Sequence, residues 1–214
     1  MDYEVLDFGL VYYKNVIKDS QLLIDTINDI DDRFLRNEHK DAQTKVKAWS
    51  PWSYNDKVFN YQKFFPEPDQ IDPRDYYCKE MYEVSEALYS SLDKAFKHYA
   101  ETLYPFAGKN IKGRESSIHL LKYGEGGHLP AHIDQGVSSR VLSSVMYLND
   151  DYAGGEIEFV QSDVKLKPEA GSIIFFPSNF LYVHEVHEIT SGYRYSMPHW
   201  YHNMKKIMLS TGEE

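Results

Sequence analysis

From Ser116 to about His202 the apolar residues recur at every second position, in short segments separated by turn residues. That period constrains the fold more than any other feature of the chain. A helical face repeats roughly every 3.6 residues and a strand face every second one, so only strands can turn this pattern inward. SSIHLLKY, HLPAHID, SRVLSSVMYLN, GEIEFV, DVKLKP, GSIIFFP, LYVHEVHEI and YRYSMPHWYH make eight candidate strands, enough for a compact jelly roll or barrel.

Upstream the period changes. A short strand is expected around Leu6 to Tyr13. Ser20 then stands as cap before Leu23, Ile27, Ile30 and Phe34, spaced three and four apart. Asp72, Pro73 and Asp75 predict a second helix start: a capping side chain, a ring that needs no amide hydrogen bond, and an acid at the positive end of the helix dipole. Its stripe is Tyr77, Met81, Val84, Leu88, Leu92, Ala95 and Tyr99, and it should stop near Pro105. The aromatic-rich stretch from Trp49 to Phe65 has no clear period and reads as a loop packed against the rest, with a lid over a site as the alternative. The expected class is therefore α+β with a mainly β core. The chain reads as one domain over 1–214, with a helical and loop-rich support region at 1–108 and the β core at 115–203.

Bulk properties narrow the function. The formal net charge of −10 works against a polyanionic partner, so no nucleic acid is expected. The single cysteine, Cys78, cannot form an internal disulfide, and a reducing compartment fits. The first residues carry acids where an export signal needs bases, and no run approaches the ~18 apolar residues of a membrane span. A soluble, intracellular protein without a membrane partner is expected; oligomeric state leaves no trace.

The stretch GEGGHLPAHIDQ, residues 124 to 135, places His132 and Asp134 one spacer apart behind a glycine-rich turn. On a strand both project to one face, where imidazole and carboxylate together can bind a first-row metal; the pair alone is weak evidence. His184 follows about fifty residues later, with Arg194 ten residues beyond it. His187 is the rival for the third ligand. It lies three residues from His184, on the opposite strand face, and the ten-residue step to Arg194 favours His184. Two histidines and one carboxylate leave coordination positions open, as in non-haem Fe(II) oxygenases. Such a site attracts an anionic chelator, and Arg194 with Ser196 on the same strand face could clamp its distal carboxylate. 2-Oxoglutarate is such a molecule.

The ordered set KYGEGGHLPAHID, RVLSSVMYLND, YAGGEIEF, KPEAGSIIFFP and HEVHEITSGYRYSMPHW resembles the catalytic core of the Fe(II)/2-oxoglutarate dioxygenases, in their prolyl 4-hydroxylase-like branch. The resemblance implies a double-stranded β-helix, the eight-stranded jelly roll, with N-terminal supporting helices. It implies His132, Asp134 and His184 as Fe(II) ligands, with 2-oxoglutarate and O2 as co-substrates and ascorbate as an optional addition. Arg194 would pair with the distal carboxylate, and Tyr123 would hydrogen-bond the co-substrate. Arg140 and Trp200 would contact a substrate, peptide or small molecule, whose unactivated C–H is hydroxylated with release of succinate and CO2.

Two departures stand out. Ile157 replaces a frequent threonine, removing a co-substrate hydrogen bond that Ser196 could supply, and Leu129 replaces a frequent substrate-facing tyrosine. Both put a prolyl-peptide substrate in question. His128, His187, His199 and His202 read as outward polar residues. The competing readings are a cupin-like metal-binding module or isomerase that does not use 2-oxoglutarate, and a silent β scaffold that binds a partner through its aromatic loop.

Overall fold

The computed structural model describes residues 1–35, 50–52, 55–61, 78–115, 119–136 and 139–204. Strand β1 (Asp2–Asp7) turns at Phe8 and Gly9 into β2 (Leu10–Lys14), so the expected single strand is a hairpin. Gly9 makes that turn possible: its φ is +80°, and a Cβ there would meet Pro177 at 3.0 Å. Helix α1 (Ser20–Leu35) begins at the expected cap, and its Leu23 and Ile27 are buried. Strands β3 (Ser50–Trp52) and β4 (Asn55–Tyr61) follow. Helix α2 (Cys78–Lys97) runs into one wide turn at His98–Leu103, which ends before Pro105 as expected, and an unexpected short helix, α3 (Pro105–Asn110), starts on that proline. The Asp72 to Tyr77 helix start lies outside the described residues.

The β core comprises β5 (Gly113–Arg114), β6 (Leu120–Tyr123), β7 (Leu129–His132), β8 (Arg140–Tyr147), β9 (Ala153–Gly154), β10 (Ile157–Phe159), β11 (Val164–Leu166), β12 (Ser172–Pro177), β13 (His184–Val186), β14 (Ile189–Ser191) and β15 (Arg194–His202). The larger sheet runs β1-β2-β12-β8-β15-β6-β4-β3, with β5 added to β15; the smaller runs β11-β10-β13-β7. Their pairings are antiparallel, and the two sheets form the jelly roll.

Besides its helices, the support region contributes strands: β1 and β2 extend the larger sheet at one edge, β4 and β3 at the other. Residues 55–61 lack a visible period because their ordering comes from pairing with β6, with Val58 opposite Tyr123, rather than from an alternating pattern of their own. The lid question for Trp49 to Phe65 falls in part on residues outside those described.

Strand β12, inside the larger sheet, is buried on both faces, which explains its unbroken apolar run. In β12, Ile173 and Phe175 pack under the helices with Ile24, Leu88, Leu92 and Ala95, while Ile174 and Phe176 face the smaller sheet beside Ile157 and Phe159. In β15 the alternation carries more. Tyr195, Met197 and Tyr201 lie on the helix side, leaving Arg194, Ser196, Pro198 and Trp200 facing the space between the sheets. His199 shares the helix-side parity, so its expected place on the surface is wrong: it is fully buried, edge-on to Tyr89 of α2 at 6.0 Å.

Candidate active site

Three side chains converge between the sheets. His132 ends β7 and His184 opens β13, and the two are directly paired across the smaller sheet. Asp134 is two residues past His132, and the ligand atoms of all three lie within 4.8 Å of one another. Asp134 Oδ1 is 3.5 Å from His132 Nε2, and Oδ2 is 4.0 Å from His184 Nε2.

Both imidazoles are oriented from behind. His132 Nδ1 contacts the Pro130 carbonyl at 2.9 Å and His184 Nδ1 the Tyr182 carbonyl at 3.0 Å. A carbonyl only accepts, so each Nδ1 carries the proton and each Nε2 turns a lone pair toward Asp134. Burial pushes the His184 pKa down, with His132 adding to the effect and Asp134 opposing it. At His132 burial also pulls down, but Asp134 and the backbone carbonyls outweigh it and the pKa is raised. At Asp134 burial would raise the pKa; His132, His184 and the Ser143 hydroxyl overcome it and hold the carboxyl well below the usual carboxylate range. An ionised carboxylate between two outward lone pairs is a donor set for a divalent cation.

A second group with the same donor types, Glu158, Glu185 and His187, sits on the outer face of the smaller sheet. Its cation is Lys165, 3.5 Å from Glu158, and His187 already bonds Glu158 at 2.7 Å. His187 therefore points away from His184, as its parity requires.

Arg194 opens β15 opposite Tyr123. It is 1% exposed, and no carboxylate pairs with it among the described residues. Its Nη1 donates to Ser196 Oγ at 3.2 Å, and its guanidinium carbon lies 4.7 Å from the Tyr123 ring centroid and 5.1 Å from that of Tyr147. Arg194 Nε and the hydroxyls of Tyr147 and Tyr152 are buried without a hydrogen-bond partner among the described residues. A buried cation is expensive without a counter-charge, and orphaned donors around it point to a missing anion. The backbone makes room for this arrangement at Gly155, where φ is +69° and a Cβ would lie 2.3 Å from Ile189 Cδ1 and 3.3 Å from Arg194 Cδ.

One cavity of about 270 Å³ is lined by the triad, by Arg194, Ser196 and Tyr123, and by Arg140 and Trp200. Every residue singled out from the sequence for the site thus borders the same space. Arg140 lies 3.8 Å over the Trp200 ring and donates to Glu115 from Nε at 3.0 Å and from Nη2 at 2.6 Å. His128 is exposed. His202 is half-buried, its Nδ1 2.9 Å from Ser139 Oγ.

Sequence reading missed Tyr147, Tyr152, Glu115 and His119. Strand parity offered a signal for two of them: His119 alternates with Leu121 and Tyr123, and Tyr147 with Val145, all of which line the cavity. Nothing local marked Glu115, which sits in the junction between the helices and the β core. Ile157 also borders the cavity, and Tyr147 places a phenol beside Arg194 where a threonine is absent.

Residues 118–202 match the model of the 2OG-Fe(II) oxygenase superfamily. A PKHD-type hydroxylase of Prochlorococcus marinus (strain MIT 9215) is 38% identical over 99 residues, 43% of this chain and 38% of that protein. The matched segments span from 10% to 38% of the length of the curated relatives. Among solved structures, a Pseudomonas putida prolyl-4-hydroxylase aligns with a TM-score of 0.58 at 19% identity, over 92% of this chain and 93% of that one. A Trichoplax adhaerens prolyl hydroxylase, solved with a hypoxia inducible factor peptide fragment, aligns with a TM-score of 0.62 at 18% identity, over 91% and 84%. At these identities the structural likeness establishes the jelly-roll fold.

Proposed function

We propose, from the premise that residues 118–202 match the 2OG-Fe(II) oxygenase superfamily, that this chain is a prolyl 4-hydroxylase-like, Fe(II)- and 2-oxoglutarate-dependent dioxygenase hydroxylating an unactivated C–H of a peptidyl proline. One observation carries the reading furthest. A fully buried guanidinium with no carboxylate partner among the described residues shares a cavity with a two-histidine, one-carboxylate triad. The prolyl substrate is supported by the names of the relatives.

The residues fit the implied groups. His132, Asp134 and His184 would hold Fe(II) through two Nε2 lone pairs and one carboxylate. Arg194 would pair with the distal carboxylate of 2-oxoglutarate, with Ser196 and the phenols of Tyr123 and Tyr147 completing its hydrogen bonds. When bound, iron and 2-oxoglutarate supply, with O2, the oxidation that places a hydroxyl on carbon and releases succinate and CO2. The chain's part is to position and to exclude water. Leu121, Leu129, Val145, Ile157 and Val186 wall the cavity and keep its dielectric low, which strengthens the pairing at Arg194.

A cupin-like module that ignores 2-oxoglutarate would leave the orphaned atoms around Arg194 unexplained. Anaerobic calorimetry of the Mn(II)-loaded protein with 2-oxoglutarate separates the two: saturable, metal-dependent binding is expected, and its absence refutes the oxygenase reading. Iron-loaded protein should then release succinate in air and add one oxygen atom to a proline-containing peptide, read by mass spectrometry.

A further inference from the structure

The cavity-facing residues of β15, Arg194, Ser196, Pro198 and Trp200, form one side of a ladder. Tyr123, Leu121 and His119 form the other, the His119 amide donating to the Pro198 carbonyl at 3.4 Å. The two ends of this ladder differ in chemistry. At Arg194 it is a buried cation among phenols. Four residues on, roughly 13 Å at ~3.3 Å per strand residue, it is an imidazole beside an indole and an ion pair that cancels itself.

At that far end Glu115 is a hub for three bases. It bonds Arg140 at 2.6 Å and faces His119 Nε2 at 3.6 Å and His202 Nε2 at 3.8 Å. Only Arg140 is within bonding distance, so with both imidazoles neutral the formal charge there is zero. Burial and Arg140 lower the pKa of each histidine, and Glu115 opposes them. His119 is also held by packing: its ring stands edge-on to Trp200 at 5.2 Å and 87°. At 3.6 Å its Nε2 is beyond a hydrogen bond to Glu115.

We propose that His119 is a specificity-determining residue of this cavity, offering its imidazole as a hydrogen-bond partner to an uncharged, carbonyl-bearing group of the substrate. The inference rests on the oxygenase reading, which gives the Arg194 end to the co-substrate and leaves the Trp200 end to the substrate. An ionised α-carboxylate entering there would find Arg140 already neutralised by Glu115 and would be desolvated without a counter-charge. An amide loses far less on burial and can use the imidazole. A proline inside a chain therefore suits this end better than the free zwitterion.

The test uses protein loaded with Mn(II) and 2-oxoglutarate, titrated calorimetrically with N-acetyl-L-prolinamide and, separately, with L-proline. The amide should bind at least about ten-fold more tightly than proline. His119→Phe keeps a ring against Trp200 and should weaken amide binding about five- to ten-fold, the size of one lost hydrogen bond. His119→Gln should recover most of that loss, and neither variant should change the affinity for 2-oxoglutarate. Equal or tighter binding of proline, no saturable binding of the amide, or wild-type amide affinity in His119→Phe each overturns the proposal. Wild-type protein that takes up 2-oxoglutarate while one of these results appears leaves the oxygenase reading standing; protein that takes up none ends both.

Discussion

Replacing Arg194 by methionine isolates the feature on which the co-substrate assignment depends. The side chain is 1% exposed, its guanidinium is held by Ser196 and by the faces of Tyr123 and Tyr147, and no described carboxylate balances it. Truncating one member of a buried, hydrogen-bonded charge pair costs about 2–5 kcal/mol. At ~1.4 kcal/mol per factor of ten, that is roughly thirty-fold to a few thousand-fold in affinity. Ser196 and the tyrosines would remain to donate to the carboxylate, so a loss near the lower end is expected. Arg194→Met should also leave the ligand-free protein no less stable, because exchanging an unbalanced buried charge for an apolar side chain of similar volume is commonly neutral or favourable. Calorimetry with 2-oxoglutarate on Mn(II)-loaded protein reads the first quantity and thermal unfolding without ligand the second. An affinity within about three-fold of wild type, with Mn(II) uptake intact, would refute the reasoning.

Other perturbations probe the neighbouring residues. Tyr147→Phe removes only an orphaned hydroxyl and should weaken 2-oxoglutarate binding about five-fold, from a hydrogen bond worth ~1 kcal/mol, with Mn(II) binding unaltered; an unchanged affinity would place the carboxylate elsewhere. Gly155→Ala forces a Cβ to 2.3 Å from Ile189 at a φ of +69°, and should lower stability by about 1–3 kcal/mol in urea unfolding while weakening 2-oxoglutarate binding through Arg194. His119 and His202 have pKa values below the ordinary 6.5, so the unfolded chain takes up protons first as pH falls. Their effect on stability is thus absent above about pH 6.5 and becomes a loss as pH falls toward their folded values. His119→Phe should flatten part of that loss in urea midpoints compared between about pH 7.5 and about pH 5.5, and a slope identical to wild type would contradict it.

Much of this protein is legible locally. Period two announced the β core because a strand's two faces are decided by adjacent residues, and the stripe from Val84 to Tyr99 announced α2 for the corresponding helical reason. The spacing of His132 and Asp134 placed two donors on one side, since two residues separate same-side positions on extended chain. What parity cannot say is which side is covered. Only the packing of α2 on the larger sheet made His199 a core residue and turned its neighbours Pro198 and Trp200 toward the cavity. The docking of the Gly9 hairpin on β12 and the pairing of β4 with β6 likewise depend on partners far along the chain. Glu115, His119 and Tyr147 gain their significance from distances to Arg140, Trp200 and Arg194, which are set when separate strands come into register. Composition and alternation determined that a sheet with donors on one face would form. Tertiary packing decided which charges are buried together, because desolvation and charge pairing depend on separation in space rather than along the sequence.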